Sequence, residues 1–180
     1  MPDKSLSLFE RLQLRNQFET LRLLTENNPK EEFNNEYYRE MIEVLEEGYE
    51  FYYSDLYNAF DPKPVPSNIT IFIFDVLDMY WAIESFKKKN PSDKDVDDHY
   101  LSTFRGFDGN HETEYLGMLR FILKKGKWKE VAQSASKTGN FNSHMELVGR
   151  YSAMVDIWKA LPEKWDLTKE QVLEILKAGF

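Results

Sequence analysis

One stretch concentrates the residues able to do chemistry: Arg105-Gly106-Phe107-Asp108-Gly109-Asn110-His111-Glu112. Two glycines allow left-handed backbone there, and Asp108 or Asn110 offers a side-chain oxygen to the first N–H groups of a following helix. With Arg105 and His111 alongside, such a helix start would make an anion or small-ligand site. The acidic Asp108, Glu112 and Glu114 would compete with a bound anion. A helix cap, which contributes about 1 kcal/mol, also accounts for the loop as a tight helix–helix turn. Arg105 and His111 could instead share acid–base work, since histidine moves protons near neutral pH and arginine stabilises developing negative charge. Arg120 follows among Met118, Leu119, Phe121 and Ile122, with Asp108, Glu112 and Glu114 as candidate ion-pair partners or a ligand as the alternative. The ligand-binding candidates are therefore Arg105, Asp108, Asn110, His111, Glu112 and Arg120.

Other chemistries are excluded or unsupported. There is no cysteine, which removes disulfides, thiol catalysis and thiolate metal sites and suits a reducing cytoplasm. The three histidines are His99, His111 and His144. Asp97-Asp98-His99 and His111-Glu112 supply ligand types but lack the i, i+4 histidine pair of a helical zinc site. No metal and no cofactor is expected. GxSxG, P-loop and Rossmann glycine patterns are absent.

The formal net charge is −8, and it is uneven: residues 1–90 carry 10 Lys/Arg against 17 Asp/Glu, residues 91–180 carry 13 against 14. An acidic chain lacks the footprint that dominates nucleic-acid affinity, so nucleic acid is not an expected partner. Lys124, Lys125, Lys127 and Lys129 read as a solvated helix end. The N-terminus reaches charged residues too early for a signal peptide, and the longest apolar run, Ile69–Phe74, falls well short of the roughly 20 residues a bilayer needs. A cytoplasmic protein with no membrane association is expected.

The elements that must position these residues read as helices. Ser7-Leu8-Phe9-Glu10 is a capping box opening a helix to about Thr25. A second helix starts near Asn35, with Tyr38, Met41, Ile42 and Leu45 on one stripe, and Gly48 stops it. The aromatic run Tyr49–Phe60 reads as a further helix, and its rings suit a core or a subunit interface. Asp61-Pro62-Lys63-Pro64-Val65-Pro66-Ser67 breaks the chain but is too short to separate two domains by itself, so 1–180 is taken as one domain. Ser67–Lys88 opens with β-branched residues, yet Phe72, Val76, Met79, Tyr80, Ile83 and Phe86 keep a helical period, which predicts a long buried central helix. Later helices are predicted over Glu112–Lys124, capped by Asp108 or Asn110, and from a capping box at Ser143-His144-Met145-Glu146 to about Leu161. A last one opens at Thr168-Lys169-Glu170-Gln171. No strand pairs or repeats are found. The fold class is all-α, about seven or eight helices around a buried central one.

Thr103-Phe104, any residue at 105, then Gly106-Phe107-Asp108, Glu112, Tyr115-Leu116-Gly117 and Arg120-Phe121 closely resemble the hallmark stretch of the bacterial YfbU family. The Phe9–Leu24 helix, the Glu46-Glu47-Gly48-Tyr49 turn and Arg150-Tyr151-Ser152-Ala153-Met154 through Trp158 to Pro162 are similar too, with insertions near 26–36 and 88–98. The resemblance implies an all-helical, self-associating cytoplasmic protein, a dimer as the first expectation, and carries no reaction or catalytic residues with it. Arg105 and His111 lie outside the matched pattern, but their R-x5-H spacing resembles the signature of HEPN-type ribonucleases, in which two protomers bring arginine and histidine together over an RNA phosphate. Gly106 departs from the polar residue usual after that arginine. Two functions are therefore expected to compete. The leading one is a non-enzymatic, self-associating module that binds a protein partner or small ligand, in regulation or stress. The alternative is a metal-independent ribonuclease with His111 as general base and Arg105 as phosphate clamp.

Overall fold

Helices begin where a side chain can close the first turn. Ser7 N–H donates to Glu10 Oε2 at 2.9 Å and Glu10 N–H donates to Ser7 Oγ at 3.3 Å, opening α1 over Leu8–Glu26. Thr168 and Gln171 exchange the same pair of bonds at the start of α8, Lys169–Ala178. In the computed structural model, which describes residues 5–26, 35–57, 64–135 and 140–180, the elements between are α2 (Asn35–Glu47), a 3-10 helix (Glu50–Tyr57), α3 (Ser67–Lys89), α4 (Lys94–Asp97), α5 (Thr113–Lys124), α6 (Lys129–Ala135) and α7 (Val148–Ala160). The described residues form an all-α protein, as expected. The short α4 and α6, of 4 and 7 residues, have too few turns to show a periodicity in the sequence. No helix among the described residues is long and apolar enough to cross a membrane.

The chain forms two compact units that divide between Pro64 and Val65, inside the proline-rich connection. Asp61, Pro62 and Lys63 of that connection, and Phe60 before it, lie outside the described residues. In the first unit α1 and α2 pack together. Gly48 stops α2 at φ +72°, and Tyr49 N–H donates back to Val44 O at 3.0 Å, a Schellman ending. Arg11 satisfies two further orphan carbonyls of α2, Leu45 O and Glu46 O, each at 2.7 Å. The small core joins Met41, Val44, Leu45, Tyr53 and Leu56, with Leu6, Leu14 and Phe18 leaning on it. The segment expected to form a further α-helix from Tyr49 is the tighter 3-10 helix instead. Among its described side chains Tyr53 and Leu56 are buried while Tyr49 before it, Phe51 and Tyr52 stay open to solvent, so these residues do not present the continuous apolar stripe that holds an α-helix on a core.

In the second unit α3 is the central helix, and Ile73, Val76, Leu77, Met79, Tyr80, Ala82 and Ile83 on it are fully buried. Its β-branched opening is helical because Ile69 and Ile73, four apart, both enter the core, and burial overrides strand preference. Helices α5, α6 and α7 pack on α3, and α8 packs on α7. Tyr80, Phe104, Phe107 and Tyr151 form an aromatic knot with centroid separations of 5.3 to 6.0 Å. Tyr80 OH donates to Leu101 O at 3.0 Å, and burial pushes the Tyr80 and Tyr151 hydroxyls up, so both stay neutral. This knot fixes the start of the candidate loop.

Candidate functional site

Phe107 anchors the loop. Its ring is fully buried between Phe104, Tyr115 and Tyr151. Its backbone makes an isolated parallel bridge to Asn142: Phe107 N–H donates to Phe141 O and Ser143 N–H donates to Phe107 O, both at 3.1 Å. The bridge is isolated and belongs to no strand among the described residues, and it joins segments 35 residues apart that local patterning could not connect. Gly106, at φ +84°, passes so close to the second segment that a Cβ would stand 1.8 Å from Phe141 O. Asn142 Oδ1 accepts from Gly109 N–H at 3.0 Å and from His144 N–H at 3.1 Å, tying the two loops a second time.

The second loop holds its shape against its own preferences. Asn140, Phe141 and His144 have φ of 55°, 62° and 54°, left-handed values that non-glycine residues rarely adopt. Arg120 braces it, with Nε and Nη2 donating to Asn140 O at 3.3 and 3.1 Å. Arg120 therefore holds a backbone carbonyl rather than Asp108, Glu112 or Glu114, the partners its neighbourhood in the sequence suggested.

Glu112 joins the loops to the helices. Its side chain is buried, and its carboxylate accepts three backbone N–H groups: Asp108 at 2.9 Å through Oε2, and Leu147 and Val148 at 2.7 Å each through Oε1. The last two are the first donors of α7, so an acid 35 residues upstream caps that helix and complements its dipole. Two expected helix starts are corrected here. Ser143-His144-Met145-Glu146 is not a capping box: α7 begins at Val148, and Ser143 Oγ donates to Met145 O at 2.6 Å. Neither Asp108 nor Asn110 caps α5, which begins at Thr113 with no side-chain cap bond. Asp108 Oδ1 instead accepts from Asn110 N–H at 3.2 Å within the loop.

Asp108 and His111 form a dyad. Asp108, only 3% exposed, places Oδ2 2.6 Å from Nδ1 of His111, whose side chain is 68% exposed. With a proton on Nδ1 facing the carboxylate, Nε2 is the nitrogen left to take or give a proton. The bond to His111 is the main cause that holds Asp108 below the usual carboxylate range, with burial opposing it. The same bond, then the Asp108 charge, raises His111 above its ordinary 6.5, and Glu146 Oε1 at 3.9 Å adds to it. For His111 the folded value exceeds the unfolded one, so its contribution is complete below about 6.5 and fades as pH rises through the raised value. For Asp108 the sign is opposite: its contribution holds above the ordinary 3.8 and fades as pH falls through the lowered value. A proton NMR titration of the His111 ring is expected to give a midpoint above 6.5 that moves down toward 6.5 in Asp108→Asn, with the Glu146 and Glu112 charges still in place. A midpoint unchanged by that substitution would refute the dyad.

Arg105 takes another direction. Its N–H donates to Tyr151 OH at 3.2 Å, its Nε donates to Tyr100 O at 2.8 Å, and its guanidinium lies 3.7 Å from the centre of the Tyr100 ring. Among the described residues no hydrogen bond or ion pair joins Arg105 to His111. His99 is half-buried, its Nδ1 accepting from Leu101 N–H at 3.3 Å, and His144 is exposed. Among the described residues no group of three or more His, Cys, Asp or Glu could hold a metal ion. Of the candidates, Asp108, Asn110, His111 and Glu112 form one hydrogen-bonded group, whereas Arg105 and Arg120 each serve a separate carbonyl. Asn142 escaped sequence reading because only the fold brings it against Gly109.

The whole arrangement falls within a recognised type of chain. A family model described as YfbU domain matches residues 4–178. A UPF0304 protein of Methanocaldococcus jannaschii is 40% identical over 177 residues, covering 96% of this chain and 99% of that protein. With both the signature stretch and its structural partners inside the match, the chain belongs to the YfbU family.

Proposed function

We propose that the chain is a non-enzymatic cytoplasmic module that self-associates as a dimer through the outer face of α1 and in that state serves a protein partner or small ligand in regulation or stress. One observation carries this reading. α1 is 19 residues long and none of its side chains is fully buried, while Leu8, Phe9, Leu12 and Leu24 are 78%, 67%, 55% and 62% exposed. At 100° per residue, Phe9, Leu12, Gln13, Asn16, Gln17, Thr20, Leu23 and Leu24 fall within an arc of about 140° that carries no charge. In a chain with 30% charged residues such a strip is unusual, and charge depletion marks the centre of interfaces. It also favours a second copy as the occupant, because two acidic chains meet there without opposing like charges. The flanking Glu19 and Glu26 are both neutralised by Arg22 within the helix. The strip, from Phe9 to Leu24, runs about 24 Å, more than four turns and long enough for an antiparallel helix pair. Light scattering is expected to give twice the 21.4 kDa chain mass for the wild type, and one chain mass for Leu12→Glu combined with Leu24→Glu, with helicity retained. A wild type that stays monomeric at about 100 μM, against micromolar affinities typical of modest interfaces, would refute self-association.

The Asp108–His111 geometry favours a second reading, a metal-independent HEPN-like ribonuclease with His111 as general base and Arg105 as clamp. An imidazole oriented by a buried carboxylate is equipped to move a proton, but the Arg105 guanidinium sits on Tyr100 and no contact brings it to His111. Single-stranded RNA incubated with metal-free protein tests this. Cleavage that disappears in His111→Ala would replace the leading reading, and no cleavage by either protein would remove the alternative.

A further inference from the structure

A second feature of the larger unit, separate from the His111 dyad, is a set of cations laid on aromatic rings. Arg105 stacks on Tyr100, Tyr100 meets Phe180 edge-on at 6.4 Å, and Arg150 lies 5.1 Å from the Phe180 ring. His99 also meets Phe180 edge-on, at 5.2 Å. Tyr100 and Phe180 are 40% and 72% exposed, so the cluster lies at the surface. Each arginine is held at one point by a backbone carbonyl: Arg105 Nε by Tyr100 O at 2.8 Å, and Arg150 Nη1 by Gly179 O at 3.2 Å. Among the described residues neither guanidinium is in an ion pair, although the chain carries 31 acids against 23 bases. Arg15, Arg22 and Arg39 are all paired with glutamates. Lys177, close enough to bear on His99, adds a third positive group beside the rings.

A guanidinium stacked on a ring is fixed in orientation while its in-plane N–H edge stays free. That edge matches two oxygens of a phosphate, and the orientation is already set before binding. We propose that Arg105 and Arg150, held on Tyr100 and Phe180, form a binding site for a phosphate group, either free or as a phosphomonoester whose planar part rests on the exposed Phe180 ring. The source of the phosphate separates by experiment, because inorganic phosphate can use only the cations, whereas a nucleoside monophosphate can also stack.

The test titrates the isotope-labelled full chain with inorganic phosphate and, separately, with adenosine monophosphate, at constant ionic strength and followed by NMR. Resonances of Tyr100, Arg105, Arg150 and Phe180 are expected to shift and saturate, with Kd on the order of 1 mM for phosphate. Arg105→Gln and Arg150→Gln are each expected to weaken binding tenfold or more. Lys125→Gln, which removes an exposed cation placed over Phe121, leaves it unchanged. Arg105→Lys keeps the charge but not the fork, so an intermediate loss identifies bidentate contact even if Arg150→Gln disturbs the end of α8. Tighter binding of the nucleotide than of phosphate shows that the ring takes part, and equal binding confines the site to the phosphate group. Shifts that never saturate with either probe, or that persist undiminished in both glutamine variants, would overturn the proposal.

Discussion

Gly106→Ala is expected to destabilise the larger unit by about 3 kcal/mol or more. Two costs add. The residue sits at φ +84°, where a side chain is strained, and its new Cβ would lie 1.8 Å from Phe141 O, a backbone atom unable to swing aside. Relief requires the second loop to retreat, which breaks the bonds linking Phe107 with Phe141 and Ser143. Urea denaturation followed by Trp fluorescence measures the loss. A change under about 1 kcal/mol would mean that the two loops are not held as described. Gly117→Ala is the informative control: no neighbour lies within 4 Å of its Cβ, and in the interior of α5 alanine is the better helix former by up to about 1 kcal/mol.

Glu112→Gln is the second large effect, expected at about 2–4 kcal/mol. The buried carboxylate accepts three N–H groups with two oxygens, and an amide offers one oxygen and turns a donor toward at least one of those donors. The first turn of α7 loses its cap at the same time as the loop loses its tie to Asp108 N–H. Glu114→Gln, exposed in the first turn of α5, is expected to stay within about 0.5 kcal/mol. Equal effects at the two positions would contradict the capping role of Glu112.

What the sequence disclosed follows from where the determinants lie. The capping boxes at Ser7 and Thr168, the Gly48 stop and the course of α3 are set by residues within one or two turns, so local pattern was enough to read them. The start of α7 was misplaced because its cap comes from Glu112, a partner that only folding supplies. Ser143 carried the right residue types for a capping box, yet Asn142 and His144 were already committed to the loop against Gly109. The Gly106–Glu112 stretch stood out for its residue types, and its glycines do answer to steric need. The orienting bond from Asp108 to His111 was not foreseen, since either side chain could equally have turned to a helix end. Arg120 lies on the helix that the sequence predicts, but the carbonyl it holds belongs to Asn140, 20 residues further along the chain, which only the fold brings within reach.

The most direct test of self-association uses the absence of cysteine, which makes any introduced thiol unique. Asn16 lies near the middle of the uncharged strip of α1, where a two-fold antiparallel pairing would set the position against its own copy. Under mild oxidation Asn16→Cys is expected to form a covalent dimer rapidly at micromolar protein, while the exposed Glu114→Cys forms one only slowly. Cross-linking at Asn16 no faster than at Glu114 would contradict an interface built on α1.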